Sequence, residues 1–308
     1  MKKFLLILST LLLIIYAGCM VFLFVKSGTG TEEQPTSTPA SADEVATVEV
    51  ISYEEDRIAL EEEINNIIFG KPGTWSVYVK NLKTGMSLEI NNREFIAASV
   101  IKLYNMIALY DEIENGNLEM TDSIENNLEQ MITVSSNSAS NAIVTTIGRG
   151  SFDDGAEKVT DCAESLGCMD TYEQHMLYDD HIPSNGRNRT SVVDCGVVLE
   201  KIYLKQCISE EYDAEMLELL KQQTKDFKIP ANLPDDVVVA NKTGENSNVE
   251  ADVGIVFSPE CDYIICISVE KYGERKPRDI IAEISECVYN FFNNKEESQS
   301  RDSSFYSS

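Results

Sequence analysis

Histidine and tryptophan are nearly missing from this 308-residue chain, which has two histidines, His175 and His181, and one tryptophan, Trp75. So few imidazoles argue against a histidine-rich zinc site and leave few candidates for a Ser-His-Asp triad. Basic residues are scarce too, 25 Lys and Arg against 52 Asp and Glu, for a net charge of −27. Nucleic-acid binding rests on basic patches, so that class of partner is not expected. A local basic site for a carboxylate is compatible with an acidic average. The eight cysteines lack C-x-x-C or comparable metal-ligand spacing. No metal and no cofactor are expected. Cys19 falls in an apolar run, which leaves an odd seven, and no pairing is assigned. Cys261 and Cys266 read as small buried residues.

One long apolar run is present, Phe4 to Val25, with Lys2 and Lys3 before it and Lys26 after. It is long enough to span a bilayer, and the leading lysines keep the N-terminus cytoplasmic, which puts the remainder outside. Tyr16-Ala17-Gly18-Cys19 resembles a lipoprotein cleavage box, but apolar residues continue past Cys19, which favours an uncleaved anchor over a lipoprotein. The expected organisation is an anchor over 1–26, a Ser/Thr/Pro-rich spacer over 27–50, one domain over 51–293 and a polar tail over 294–308.

Within the domain, apolar residues recur at helical spacing from Glu54 to Phe69, and Gly70 and Pro72 stop the helix. Trp75 to Val79 alternates as a strand, Lys83-Thr84-Gly85 forms a turn, and Met86 to Ile90 returns. Helices are expected over Ser99 to about Tyr110, Thr121 to Leu128, Ser138 to Ile147, from Ser191 and around Leu217. Asp153 to Asn188 reads as a variable stretch. Val237 to Ala240, Val253 to Phe257 and Tyr263 to Val269 are late strands, and Pro277 opens a last helix. Short connections imply antiparallel pairing. The fold class is therefore α+β: a five-stranded antiparallel sheet flanked by helices, with an all-helical lobe inserted between the early and late strands.

Three short motifs occur in order. Ser99-x-x-Lys102 puts a hydroxyl and an amine on one helical face, at an N-terminus that favours developing negative charge. A hydroxyl needs a neighbouring base to become a nucleophile, and a lysine with a lowered pKa can be one. Ser135-Ser136-Asn137 lies between two helices, and Lys242-Thr243-Gly244 ends a strand. Alone, each is weak: a capping serine, a capping turn, a common turn. The ordered set resembles the S-x-x-K, S-D-N and K-T-G set of class A β-lactamases and penicillin-binding proteins, over roughly Ile58 to Phe292. Lys83-Thr84-Gly85 is a second copy without partners and reads as structural.

The resemblance implies roles. Ser99 attacks a β-lactam or peptide amide to form an acyl-enzyme, and Lys102 helps remove its proton. Ser135 relays a proton to the leaving nitrogen. Asn137 holds the substrate's side-chain amide, while Lys242 and Thr243 attract its carboxylate. Gly244 allows close approach of the substrate, and the N–H groups of Ser99 and Glu245 form the oxyanion hole. Two departures stand out. Ser136 replaces the usual aspartate, which implies a changed packing contact. No E-x-x-L-N segment precedes Ser191; its glutamate activates the hydrolytic water in class A enzymes. Glu173 is the candidate for that base, in Glu173-Gln174-His175-Met176-Leu177 with Asp179 and Asp180 nearby. All three read as solvated loop charges.

The expected activity is a membrane-anchored, extracytoplasmic serine hydrolase, monomeric, acting on a β-lactam or a D-Ala-D-Ala-like amide with slow deacylation. The alternatives are a penicillin-binding D,D-carboxypeptidase or transpeptidase acting on cell-wall peptides, and a non-catalytic β-lactam or muropeptide sensor.

Overall fold

The computed structural model describes residues 42–178 and 187–294, and the account below concerns the compact unit that begins at Glu49. The expected anchor (4–25), most of the spacer, His181, Asp179, Asp180 and all of the tail beyond Asn294 lie outside the described residues. Among the described residues no helix is long and apolar enough to cross a membrane.

Helix α1 spans Ala42–Ile68. Residues 42–50, expected as spacer, are therefore helical. No proline or glycine interrupts the chain between Ala42 and Phe69, so nothing breaks the helix before Gly70. Strands β1 (Thr74–Asn81) and β2 (Ser87–Ile90) form the early hairpin; β5 (Val238–Glu245), β6 (Val249–Phe257) and β7 (Tyr263–Glu270) form the late meander. They make one antiparallel sheet in the order β2-β1-β7-β6-β5. The early and late strands meet at β1 and β7, where Trp75 pairs with Val269 and Val79 with Ile265. Side chains alternate across a strand. Val77, Val79, Ile265 and Ile267 therefore pack with Leu60 and Ile64 of α1 and with Ile281, Ile284 and Val288 of the last helix. Ile264 and Cys266 face the opposite way and join the core of the helical lobe. Strand β7 is buried along its whole length because both faces are covered.

Between the hairpin and the meander come β3 (Phe95–Ile96), α2 (Ile101–Glu114), α3 (Asp122–Thr133), α4 (Asn137–Ile147), α5 (Phe152–Ser165), β4 (Arg189–Thr190), α6 (Val192–Tyr203) and α7 (Glu210–Lys221); α8 (Arg278–Asn293) closes the fold. Helix α2 is the axis of the lobe and is buried from Ile101 to Tyr110. A helix enclosed on all sides has to be apolar on all sides, so its buried Lys102 and Asn105 stand out.

Two elements lie within or beside the stretch read as variable. Helix α5 carries a narrow stripe of Phe152, Ala156, Val159 and Ala163, hidden in sequence by the acids around it. Ser151 caps it, its Oγ accepting from Asp154 N at 3.2 Å. Strands β3 and β4 pair over two residues each, too short for an alternation to register. Strand β6 begins at Val249 rather than Val253.

Helices α4 and α5 touch at a glycine. A Cβ on Gly155 would lie 1.9 Å from the Val144 carbonyl oxygen. Alanine favours a helix by about 1 kcal/mol over glycine, but a backbone clash costs about 1–3 kcal/mol and the carbonyl cannot swing away. Gly155→Ala is expected to lower stability by up to about 2 kcal/mol net, measured as a drop in the urea midpoint at unchanged slope.

Candidate active site

Ser99 lies in a single turn of 3-10 helix, Ala98–Val100, that leads into α2. The α-helix itself starts at Ile101, two residues later than the apolar pattern suggests. Ala98 is held at φ +44°, a conformation that alanine rarely adopts. Lys102 follows one turn on and is fully buried. Its Nζ donates to Ser99 Oγ at 3.0 Å, the Ser135 carbonyl at 2.6 Å, Ser135 Oγ at 3.2 Å and Asn137 Oδ1 at 2.7 Å.

Ser135 occupies the joint between α3 and α4 at φ +62°, which costs about 1–2 kcal/mol for a residue with a Cβ. That conformation leaves both its carbonyl and its hydroxyl on Lys102. Ser136 takes over the capping work, its Oγ accepting from Ala139 N at 3.2 Å. The capping reading holds at Ser136, while the Ser135 hydroxyl stands between Lys102 and Lys242.

On the other side, Lys242 Nζ donates to Ser135 Oγ at 2.9 Å and to the Thr243 carbonyl at 3.1 Å. Lys242 is fully buried. Burial, reinforced by the charges of Lys102 and Lys225, pulls its amine well below the usual lysine range. Thr243 Oγ1 is buried without a hydrogen-bond partner. Lys242-Thr243-Gly244 lies inside β5, which continues through Glu245, rather than at its end. A Cβ on Gly244 would sit 2.8 Å from Val100 Cγ2 and 2.9 Å from the Ala97 carbonyl oxygen. Glycine is required here by the close approach of the Ser99 turn itself.

A cleft of about 100 Å³ opens here, lined by Ser99, Asn137, Met176, Tyr178, Arg187 and Glu245 among others. Glu173 was read as a solvated loop charge; it is instead buried, with 4% of its surface exposed. Its Oε2 has no hydrogen-bond partner. Burial pushes its carboxyl up to about 8, while Asn105 and the charge of Lys102 pull the other way. Asn188 holds this loop. Its Oδ1 accepts from Gln174 N at 2.9 Å and His175 N at 3.0 Å, and its Nδ2 donates to the His175 carbonyl at 3.0 Å and, more weakly, to Glu173 Oε1 at 3.4 Å. The Asn188 carbonyl accepts from Ala97 N at 2.9 Å, just ahead of Ser99. Asn141 pins the far side of the loop, exchanging hydrogen bonds of 2.8 and 2.9 Å with the Leu177 backbone.

A hydroxyl and two buried amines bridged by a second hydroxyl, beside a buried carboxyl, form a set suited to acyl transfer. Among the described residues the cysteines offer no rival nucleophile: burial pushes Cys162 and Cys195 up to about 12, so thiolate is scarce at neutral pH.

The model of the Beta-lactamase enzyme family matches residues 59–128 and 123–292. The chain belongs to this family. Solved structures with the same fold include TLA-1 extended-spectrum β-lactamase (20% identity, TM-score 0.70, 77% of this chain and 99% of that one). A mutant of PBP-A, described as an acyl-enzyme complex with penicillin G, is 24% identical at TM-score 0.69, covering 77% and 97%. A β-lactamase from Sphaerobacter thermophilus DSM 20745 is 20% identical at TM-score 0.67, covering 75% and 95%. No curated protein sequence matches the chain.

In this β-lactamase-family chain, Ser99, Lys102, Ser135, Asn137 and Lys242 are joined by direct contacts, and Thr243, Gly244 and Glu245 border them on β5. The second Lys-Thr-Gly is structural: Asn81 Oδ1 accepts from Lys83 N and Thr84 N, and Gly85 turns at φ +78°. Sequence reasoning missed Asn188, Asn105 and Arg187. Nothing in their neighbourhoods along the chain marks them: Asn188 and Asn105 act through contacts made across the fold, and Arg187 through its place on the cleft wall.

Removing the Asn188 side chain takes the partner from two loop amides and a carbonyl, at up to about 1–3 kcal/mol for each group that water does not reach. Asn188→Ala is expected to raise amide exchange at Gln174 and His175 at least tenfold, while α2 exchanges as before, as read by hydrogen exchange with mass spectrometry.

Proposed function

We propose that this chain is an extracytoplasmic serine hydrolase, tethered through residues 4–25, that cleaves a β-lactam or D-Ala-D-Ala-like amide through a Ser99 acyl-enzyme and releases it slowly. The observation that carries this reading is the Lys102–Ser135–Lys242 chain ending on the Ser99 hydroxyl. Lys102, in its amine form, takes the Ser99 proton as Oγ attacks the carbonyl. The N–H groups of Ser99 and Glu245 receive the oxyanion. As the intermediate collapses, Ser135 gives its proton to the leaving nitrogen and is resupplied by Lys102 at 3.2 Å. Asn137, on the cleft wall, offers a hydrogen bond to the substrate.

Release of the acyl group needs a base for water, and Glu173 is the group placed for it, buried close enough to Lys102 to feel its charge. A carboxyl is a base only when ionised. With a value of about 8, roughly nine in ten molecules hold it neutral at pH 7. The acyl-enzyme therefore accumulates. The same property favours the penicillin-binding D,D-carboxypeptidase reading, since a slow second step with a β-lactam is how such an enzyme is trapped.

Mixing the protein with benzylpenicillin and following intact mass tests the first step. A penicilloyl adduct on Ser99 is expected, and Ser99→Ala should show none; an adduct of equal yield in that variant sinks the mechanism. The second step has a pH signature. Loss of the adduct should speed up about tenfold per pH unit below about 8 and level off above it. Glu173→Gln should flatten that profile and slow release at pH 8. Turnover of a D-Ala-D-Ala peptide, measured beside it, separates the peptidase from the β-lactamase.

A further inference from the structure

Four cations converge on the end of β5. Lys225 and Arg278 both donate to the Glu245 carboxylate, and Lys276 lies 4.0 Å from it. Lys228, fully buried, pairs with Glu250 at 2.8 Å; Glu250 also meets Lys276 at 3.0 Å and Arg278 at 3.3 Å. The Arg278 guanidinium is stacked on the Phe227 ring, 4.2 Å from its centre, which fixes its direction. Such a concentration of positive charge in a chain of net charge −27 needs a reason.

The two glutamates answer it differently. Glu250 is fully buried and matches the buried Lys228, as an internal charge must be matched. Glu245 is only partly buried and lines the cleft beside Ser99. It directly follows Lys242, Thr243 and Gly244 on the strand that borders the nucleophile. Burial works against its charge, yet Lys225, Lys228 and Arg278 hold its carboxyl below the usual range. Without the Glu245 carboxylate, the cations would face the cleft with an excess of positive charge and would attract an anion from the substrate. With it, that position is already filled by the protein's own anion.

We propose that Glu245 is a specificity-determining residue: its carboxylate occupies the anion position beside Ser99, so the site prefers acyl donors that are uncharged at the end nearest β5. Such donors include an amidated or esterified terminus in place of a free carboxylate. This rests on the Ser99 acylation reading above. A substrate carboxylate would have to displace Glu245 from Lys225 and Arg278 or lie beside it as a like charge.

The test compares acylation rate constants for benzylpenicillin and for its methyl ester, which differ in this one charge, followed by intact mass on the full chain. The unmodified protein is expected to react with the ester at least as fast as with the acid. Glu245→Gln should raise the acid-to-ester ratio of rate constants ten- to a hundredfold. Glu245→Asp, which keeps the charge, should keep the ester preference. Should Glu245→Gln fail to fold, Lys225→Gln replaces it: removing one cation should slow the acid at least threefold and spare the ester. An acid-to-ester ratio that these changes leave unmoved overturns the proposal while the acylation reading stands. No adduct with either compound in any variant overturns the acylation reading and this proposal together.

Discussion

Two fully buried lysines meet on one serine hydroxyl, and the rest of the molecule is arranged to make that tolerable. An amine in a protein interior loses its hydration, and two of them close together also repel. Lys102 is surrounded by four oxygen acceptors, one of them the carbonyl that Ser135 exposes by adopting a left-handed backbone. Lys242 has two acceptors, and burial together with the charge of Lys102 pulls it towards the neutral amine.

Holding such a pair requires stiff supports. Lys102 projects from α2, the most deeply enclosed helix, and Lys242 from β5, tied along its length to β6. The Ser99 turn and β5 touch at Gly244, where no side chain would fit. The two lysines thus belong to separate layers of the fold, and the serine between them comes from a third segment. Strain at Ala98 and Ser135 is borne by this packing rather than relieved within the turns themselves.

Much of this was legible in the sequence, and the reasons are physical. The strands announce themselves by alternation and the motifs by short fixed spacing, so the sheet, its antiparallel pairing and the Ser99, Lys102, Ser135 and Lys242 set could be read from residues near one another along the chain. Helix α5 was obscured because alanines and one valine make up much of its buried stripe, and the eye reads acids and small residues as loop. Strands β3 and β4 were invisible because a two-residue pair has no period. Glu173 was misjudged for a further reason: burial of a carboxylate depends on what folds over it, and its cover comes from Asn105 on α2 and Asn188 after the loop. The polar partners of Glu245 sit at positions 225, 276 and 278 and could not be brought to it by spacing.

Asn188 carries a consequence of its own. Its side chain holds the Glu173 loop while its main-chain carbonyl holds the strand that leads into Ser99. The group proposed to start the reaction and the group proposed to finish it therefore share one anchoring residue. The two half-reactions are mechanically linked, and a lineage could not retune the timing of release without also shifting the aim of attack.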